Sequence, residues 1–220
     1  MGSQPVTDAD SRHELVRLAR SLHQRGLTRG TSGNLSARID GGMLVTPTNA
    51  SLGELRTGDL AVVSDTGEHL SGARPSKEAF LHLAMYRARP HDHAAVHLHS
   101  TYATALSCLD DVDDDNVLPP LTAYFVMRVG RLVRLPYFAP GDHALAETAE
   151  KAAGSSRALL LANHGPIVSA PSLTEAVDAV EEVEETARLF FLLQGHATRP
   201  LQPAQVTQLS QSAQRNRASS

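Results

Sequence analysis

The chain has 220 residues, of which 41% are hydrophobic and 20% charged, and this composition suits one large globular domain. Its net charge of -4 and pI near 6.2 lack the basic surface that binding to a phosphate backbone requires, so nucleic acid is not an expected partner. We find no signal peptide and no apolar stretch that could span a bilayer. Cys108 is the single cysteine, so an intrachain disulfide is excluded, which fits a reducing compartment. Together these features lead us to expect a cytoplasmic protein without a membrane partner.

The first half of the chain begins with an amphipathic helix and continues with hairpins. Apolar residues recur at helical spacing from Leu15 to Leu22, and Gly26 is a plausible stop. Two pairs of strand-like runs follow, each joined by a glycine-containing turn: 35–39 with 43–46, and 61–64 with 69–71. Antiparallel pairing is therefore expected early in the sheet.

The second half alternates helices with strands. A helix is predicted after Ser76, which is its expected N-cap, and the last long helix opens with a capping box from Ser172 to Glu175. Beyond Pro200 the chain is rich in Gln and Ser and poor in large apolar residues. We therefore predict a single domain over 1–200 and a flexible polar tail over 201–220.

Three histidines lie at predicted strand ends. His97 and His99 close an apolar run, and residues two apart on a strand share a face; His164 follows a second apolar run and precedes a glycine. Three imidazoles with one open position are typical of a catalytic zinc site. His91 and His93 have the same spacing, but they follow a proline beside an aspartate and are interpreted as loop residues.

Three polar segments could bind an anion. Residues 30–36 carry glycines that allow backbone N–H groups to approach a ligand, and 46–49 offer hydroxyl and amide donors on a rigid turn. Ser76 to Glu78 lie at a predicted helix N-terminus, where unpaired N–H groups favour phosphate. Each segment also has an ordinary interpretation, as a connector or as helix capping, and either interpretation remains open for each segment by itself.

These segments together resemble the class II aldolase/adducin family over about 14–194. The resemblance is carried by five motifs in the family's order: Gly30-Thr31-Ser32-Gly33-Asn34-Leu35-Ser36, Thr46-Pro47-Thr48, Pro75-Ser76-Lys77-Glu78, His97-Leu98-His99-Ser100 and Asn163-His164-Gly165. The stretches 46–55, 75–81 and 97–109 look most like the family's 3-oxo-tetronate 4-phosphate decarboxylase branch.

The resemblance implies a three-layer α/β/α fold with a mixed, largely antiparallel sheet, and a homotetramer whose active sites lie near subunit interfaces. It implies that His97, His99 and His164 bind a divalent metal, most simply Zn²⁺, and that Glu78 is the catalytic acid/base. It also implies a set of substrate and phosphate contacts: Thr31, Gly33, Asn34, Thr48, Asn49, Ser76 and Lys77.

The sequence departs from the sugar-phosphate aldolases of the family at two positions. Lys77 replaces a small hydroxyl residue and adds a positive charge, which suits a substrate that carries a carboxylate as well as a phosphate. Asn49 stands where many relatives have glycine, and asparagine tolerates the left-handed backbone that such a turn needs. Tyr124 is the nearest match to the tyrosine that a neighbouring subunit supplies in the aldolases, with Phe125 as the alternative.

The activity implied is metal-dependent decarboxylation of a 3-oxo-tetronate 4-phosphate to dihydroxyacetone phosphate and carbon dioxide. A metal-dependent sugar-phosphate aldolase is the alternative, because both reactions pass through an enediolate. A binding protein like adducin, which needs no catalysis, is a third possibility that the three histidines and Glu78 disfavour.

Overall fold

Eight short strands form one sheet in the computed structural model, which describes residues 8–139 and 141–218. The strands are β1 (Asn34–Ile39), β2 (Gly42–Val45), β3 (Ala61–Ser64), β4 (His69–Ser71), β5 (Ala94–His97), β6 (Leu132–Leu135), β7 (Ala158–Leu161) and β8 (Gly165–Ala170). Their order across the sheet is β4-β3-β2-β1-β5-β8-β7-β6. Among the described strands only β6 and β7 pair in parallel, so the predicted mixed, largely antiparallel sheet is confirmed.

The two predicted hairpins form as expected. Gly41 and Gly67 in their turns have φ of 75° and 93°, values that glycine adopts without steric cost. Strand β1 then pairs on its other side with β5, in a register that sets Asn34 opposite His97. Since alternate residues of a strand share a face, Asn34 and Ser36 lie on one side of the sheet and Leu35 on the other.

The described residues form seven α-helices, which lie on both sides of the sheet. They are α1 (Asp8–Gln24), α2 (Ala79–Ala88), α3 (Thr101–Ser107), α4 (Ala123–Arg128), α5 (Ala144–Ala153), α6 (Leu173–Leu192) and α7 (Pro203–Ala218). Apolar side chains of α1, α3, α4 and α6 pack into one large core, whereas α2 and α5 pack together on the opposite face. This arrangement is the predicted three-layer α/β/α fold. None of the described helices is both long and apolar enough to cross a membrane.

Helix capping matches the prediction at one position and departs from it at another. The Ser172 side chain accepts a hydrogen bond from the Glu175 backbone N–H at the start of α6, as predicted. Helix α2, however, begins at Ala79 with Glu78 as its N-cap. Ser76 is therefore not the cap; its Oγ accepts from the Glu78 backbone N–H at 3.2 Å, in a turn that precedes the helix.

Within the polar segment after Pro200, residues 203–218 form a helix that the composition did not predict, whereas the flexibility of the segment stays a prediction. Pro203 occupies the first helical position, where its fixed φ and missing N–H are favourable, and the Gln202 backbone N–H donates to the Gln205 side chain at 2.8 Å. Helix α7 lies against α4, and the Leu201 backbone N–H donates to Pro120 O just before it. The composition of the segment did not indicate a helix, whereas Pro203 at the first helical position and the hydrogen bond between Gln202 and Gln205 favour one.

Candidate metal centre and active site

Three imidazoles converge at the end of the central strands. His97 is the last residue of β5, His99 lies two residues beyond it, and His164 lies in the turn between β7 and β8. Their Nε2 atoms are separated by 3.0 Å between His97 and His99 and by 2.9 Å between His99 and His164. Val96 and Leu98 point into the large core, so the face assignment predicted from strand alternation is confirmed.

His97 has the tautomer that a metal ligand needs. His97 Nδ1 lies 2.9 Å from Pro166 O, and because a carbonyl only accepts, Nδ1 carries the proton and Nε2 presents a lone pair to the centre. Metal–nitrogen bonds of about 2.0–2.1 Å bring two ligands of one ion to roughly 3.3 Å from each other, close to the separations found here. Together with a Glu78 oxygen, the ligand atoms all lie within 4.8 Å of one another. The residues therefore fit a divalent metal.

Close backbone packing brings the two histidine segments together. A Cβ at Gly165 would lie 2.2 Å from Leu98 O, so only glycine allows β8 to start this close to the residue between His97 and His99. Helix α3 holds the His164 turn: Ser107 Oγ accepts from the His164 backbone N–H at 3.1 Å, and Thr104 donates to its carbonyl at 3.0 Å. These contacts fix the third imidazole against the other two.

Glu78 faces the same centre from the start of α2. Its two carboxylate oxygens lie 3.5 Å from His97 Nε2 and 3.3 Å from His164 Nε2, and Asn34 Nδ2 donates to Oε2 at 2.8 Å. Burial raises the pKa of this carboxyl, but the charge interaction with His97, the Asn34 hydrogen bond and the charge interactions with His164 and His99 outweigh it and lower the pKa to about 2. Glu78 is therefore an anion held beside the three imidazoles.

The pKa values of two of the imidazoles, His97 and His99, are lowered, which favours their neutral form. Burial lowers the pKa of His97 to about 4, against the opposing attraction of Glu78. The pKa of His99 is also lowered, first by burial and then by the nearby His164. Neutral imidazole is the form that ligates metals, so burial maintains the binding state.

Behind Glu78 lies a buried polar network that sequence reasoning missed. His82 is fully buried; its Nε2 contacts Asn34 Oδ1, and its Nδ1 lies 2.7 Å from Ser36 Oγ, which in turn lies 2.7 Å from the Tyr86 hydroxyl. Burial lowers the pKa of His82 to about 3 and raises that of Tyr86. A signal was available, because Glu78, His82 and Tyr86 are spaced four apart along a predicted helix.

Every substrate contact expected from the resemblance lies around one cavity. This cavity of about 160 Å³ is also lined by Glu78 and His99. The expected contacts among its lining residues are Thr31, Gly33, Asn34, Thr48, Asn49, Ser76 and Lys77. The resemblance placed these residues in one site, and the fold brings them together; their roles in binding stay a prediction. The Asn34 amide contacts Glu78 and His82 at its two ends, which gives that side chain a second task.

Two chain segments form the hydroxyl-rich wall of this cavity. Residues 46–48 and 74–76 pair through Thr48 N–H to Arg74 O at 3.0 Å and Ser76 N–H to Thr46 O at 3.1 Å. The pairing uses the backbone N–H groups of Thr48 and Ser76 rather than their side chains; the Ser76 Oγ already accepts from the Glu78 backbone N–H and keeps its O–H to donate to a ligand. Asn49 has φ of 58°, the left-handed conformation expected for a residue that replaces glycine.

Gly33 lines the cavity at a position where there is no room for a side chain. Its φ is 79°, and a Cβ there would lie 3.0 Å from His97 O and 3.3 Å from Leu98 Cδ2. A side chain would therefore press on the strand that carries the metal ligand. This contact explains why the loop before β1 needs glycine beside the histidine pair.

Tyr124 is not brought into this cavity by its own chain. It lies on α4 with 61% of its surface exposed, its ring stacked by Arg128 at 5.3 Å, and it is not among the described residues that line the cavity. Phe125 is fully buried in the core and cannot fill the alternative position. The structure therefore does not bring Tyr124 to the cavity of its own chain, and its role at the active site of a neighbouring copy stays a prediction.

A larger cavity lies at the opposite end of β1, and the described residues that line it form no metal-capable cluster. It measures about 630 Å³ and is lined by residues that include Arg38, Asp40 and His93. His91 and His93 lie outside the strands, as predicted, and both are exposed. Among the described residues, the cluster that can bind a metal is formed by Glu78 and the three histidines. It lies at the smaller cavity, which is therefore the better candidate for the active site.

Cys108 follows the end of α3 and is exposed. It lines a separate surface cavity with Asn163 and Arg134.

Comparison with known proteins agrees with this geometry. The chain is 49% identical over 205 residues to the 3-oxo-tetronate 4-phosphate decarboxylase of Haemophilus influenzae, covering 93% of this chain and 98% of that protein. It is 32% identical over 187 residues to the L-fuculose phosphate aldolase of the same organism, covering 84% of each. The crystal structure of YgbL from Klebsiella pneumoniae superposes with a TM-score of 0.91 at 47% identity, covering 93% of this chain and 100% of that one.

The family assignment rests on both the sequence and the fold. A family model described as the class II aldolase and adducin N-terminal domain matches residues 13–191, which include every histidine and loop of the site described above. The chain therefore belongs to the class II aldolase and adducin family.

Proposed function

We propose that this protein is a carboxy-lyase that converts a 3-oxo-tetronate 4-phosphate to dihydroxyacetone phosphate and carbon dioxide. The observation that carries the proposal is the Glu78 carboxylate, poised beside three convergent imidazoles at the edge of a hydroxyl-rich cavity. Relatives that are 43–49% identical over most of the chain are named 3-oxo-tetronate 4-phosphate decarboxylases, which supports the same substrate.

The substrate's two anionic ends fit two parts of the cavity. The hydroxyls of Thr31, Thr48 and Ser76, together with Asn49 and the backbone at Gly33, bind the phosphate. The exposed ammonium of Lys77, next to Glu78 along the chain, binds the carboxylate that is to leave. Binding at both ends sets the bond between C1 and C2 near Glu78.

His97, His99 and His164 would hold a divalent ion, which we propose to be Zn²⁺. When bound, the ion supplies a Lewis acid that stabilises the negative charge released as the carboxylate departs. The carbonyl of Pro166 holds the proton of His97 on Nδ1, so the lone pair of Nε2 stays available to the metal ion.

Glu78 moves the proton that completes the reaction. Loss of carbon dioxide from the β-keto acid leaves an enediolate at C2 and C3, and protonation at C2 then yields the hydroxymethyl group of dihydroxyacetone phosphate. Glu78 delivers that proton from its position between Asn34 and the imidazoles, after taking one from solvent. Asn34 fixes the direction of transfer by holding one carboxylate oxygen.

The second candidate is a sugar-phosphate aldolase, and the exposed Tyr124 favours it. In that reaction a bond between two carbon atoms breaks to give an aldehyde, which needs a proton donor at the far end of the substrate. Tyr124 is exposed and available to a neighbouring copy. We further propose that the protein is cytoplasmic and forms a homotetramer with active sites near its interfaces. Light scattering on the purified protein measures the mass of the assembly and so tests the tetramer.

Activity with a single substrate separates these functions. The purified protein, with its metal content measured, is incubated with 3-oxo-tetronate 4-phosphate while carbon dioxide and dihydroxyacetone phosphate are quantified together. Equal release of both products, abolished by a chelator and restored by Zn²⁺, is the expected result. If the metal-loaded protein is inactive here but releases an aldehyde from a sugar phosphate, it is an aldolase; if it binds no metal, the adducin-like binding role replaces both.

A further inference from the structure

Glu78 is held by a buried chain of side chains that extends away from the cavity. Asn34 Nδ2 donates to Glu78 Oε2 at 2.8 Å, and beyond Asn34 come His82, Ser36 and Tyr86. Helix α2 and its N-cap supply three of these groups at intervals of four residues, and β1 supplies the other two at an interval of two. The five groups therefore form one line where a helix face meets a strand face.

Each hydrogen bond in this line has a fixed direction. The Glu78 carboxylate only accepts, so the Asn34 amide turns its nitrogen towards Glu78 and its oxygen towards His82. His82 must then carry its proton on Nε2, which leaves Nδ1 as an acceptor for the Ser36 hydroxyl at 2.7 Å. Ser36 in turn accepts from the Tyr86 hydroxyl at 2.7 Å.

Burial makes this arrangement costly to disturb. Ser36 and His82 are fully buried and Tyr86 is 4% exposed, so water cannot replace a missing partner. If His82 no longer donated to Asn34, the Asn34 Oδ1 atom would be buried without a donor. The amide would shift towards another partner, its hydrogen bond to Glu78 would weaken, and the carboxylate would lose its fixed position beside the imidazoles.

We propose that His82, fixed by Ser36 and Tyr86, is a positioning residue that locks the orientation of the Asn34 amide and thereby holds Glu78 in its productive position. The proposal rests on the proposed function for the identity of the reaction. It assigns to Asn34 a task beyond lining the phosphate cavity. His82 itself touches neither substrate nor metal.

Substitution of His82 tests the proposal through its donor. His82→Met removes the donor at similar volume, and we expect kcat to fall about 10- to 100-fold, with KM and metal content close to those of the parent. His82→Gln keeps an N–H group where Nε2 lies, so we expect it to recover most of the lost kcat. His13→Met, at an exposed histidine of α1, is the matched control and leaves kcat unchanged.

A double variant separates positioning from general destabilisation. If His82 acts through Glu78, adding His82→Met to Glu78→Gln lowers kcat no further, because the group being positioned is already gone. Loss of a further 10-fold or more in the double variant would overturn the proposal, as would equal kcat losses in His82→Met and His82→Gln.

Neutron diffraction from a deuterated crystal gives a readout that does not depend on activity. We expect density for the exchangeable proton on His82 Nε2, none on Nδ1, and the amide deuterons of Asn34 directed at Glu78. A proton on His82 Nδ1 would contradict the fixed directions described above. If the parent protein fails to release carbon dioxide, the proposed function fails while this result stands; if it is active and His82→Met retains full kcat, the positioning role alone fails.

Discussion

Glu78 is the side chain proposed to carry the proton to C2, and the hydrogen bond from Asn34 holds its carboxylate in place. Replacing it by Gln keeps the size and the contact with Asn34 but removes the group that carries the proton to C2. We expect Glu78→Gln to lower kcat by about 10²- to 10⁴-fold, a typical effect for a general acid or base. Metal content and product formation are measured on the same sample, and full turnover with metal retained would exclude the proton-transfer role.

Substitution of Lys77 tests whether its charge binds the carboxylate or the phosphate of the substrate. Lys77→Met removes an exposed cation, and we expect KM for the keto-acid phosphate to rise about 5- to 10-fold, a modest change because solvent screens the site. Lys77→Arg keeps the charge and is the control. Inhibition by dihydroxyacetone phosphate, which lacks the carboxylate, should change little; an equal loss for both ligands would mean that Lys77 binds the phosphate.

Helix α3 depends on an acidic side chain of another helix. Glu184 of α6 accepts the backbone N–H groups of Tyr102 at 2.9 Å and Ala103 at 2.8 Å, at the start of α3. Since α3 also holds the His164 turn, we expect Glu184→Ala to lower the free energy of unfolding by about 1–3 kcal/mol and to weaken metal binding. Urea denaturation and zinc titration measure the two effects. Glu185→Ala, at an exposed neighbour, should change neither one.

Local patterns predicted most of the elements from the sequence. The hairpin strands follow from alternation and glycine turns, and Ser172 follows from its capping box. The start of α2 and the existence of α7 were not predicted correctly, because capping at Glu78 and the packing of α7 on α4 depend on neighbouring segments. The network behind Glu78 was missed for a related reason: its spacing is readable within each element, but the meeting of α2 with β1 is not.

Across the whole molecule, the site joins segments that are distant along the chain. The end of β5, the turn before β8 and the start of α2 meet only because β1, β5 and β8 are neighbours in the sheet. The sequence resemblance placed the histidines in one site, whereas periodicity alone could only place each of them at a strand end. An ion bound by the histidines at the end of β5 and in the turn before β8 would therefore stabilise the tertiary fold as well as take part in the reaction.

Thermal unfolding with and without metal tests this coupling. An ion that binds only the folded chain, at 100 times its Kd, adds about 2.7 kcal/mol of stability. For a chain of this size each kcal/mol corresponds to roughly 2–4 °C, so we expect Zn²⁺ to raise Tm by about 5–10 °C over the chelated protein. His99→Ala removes one ligand and should lose most of this rise, whereas His93→Ala, at an exposed loop histidine, should keep it. An equal rise in His99→Ala would place the stabilising ion elsewhere.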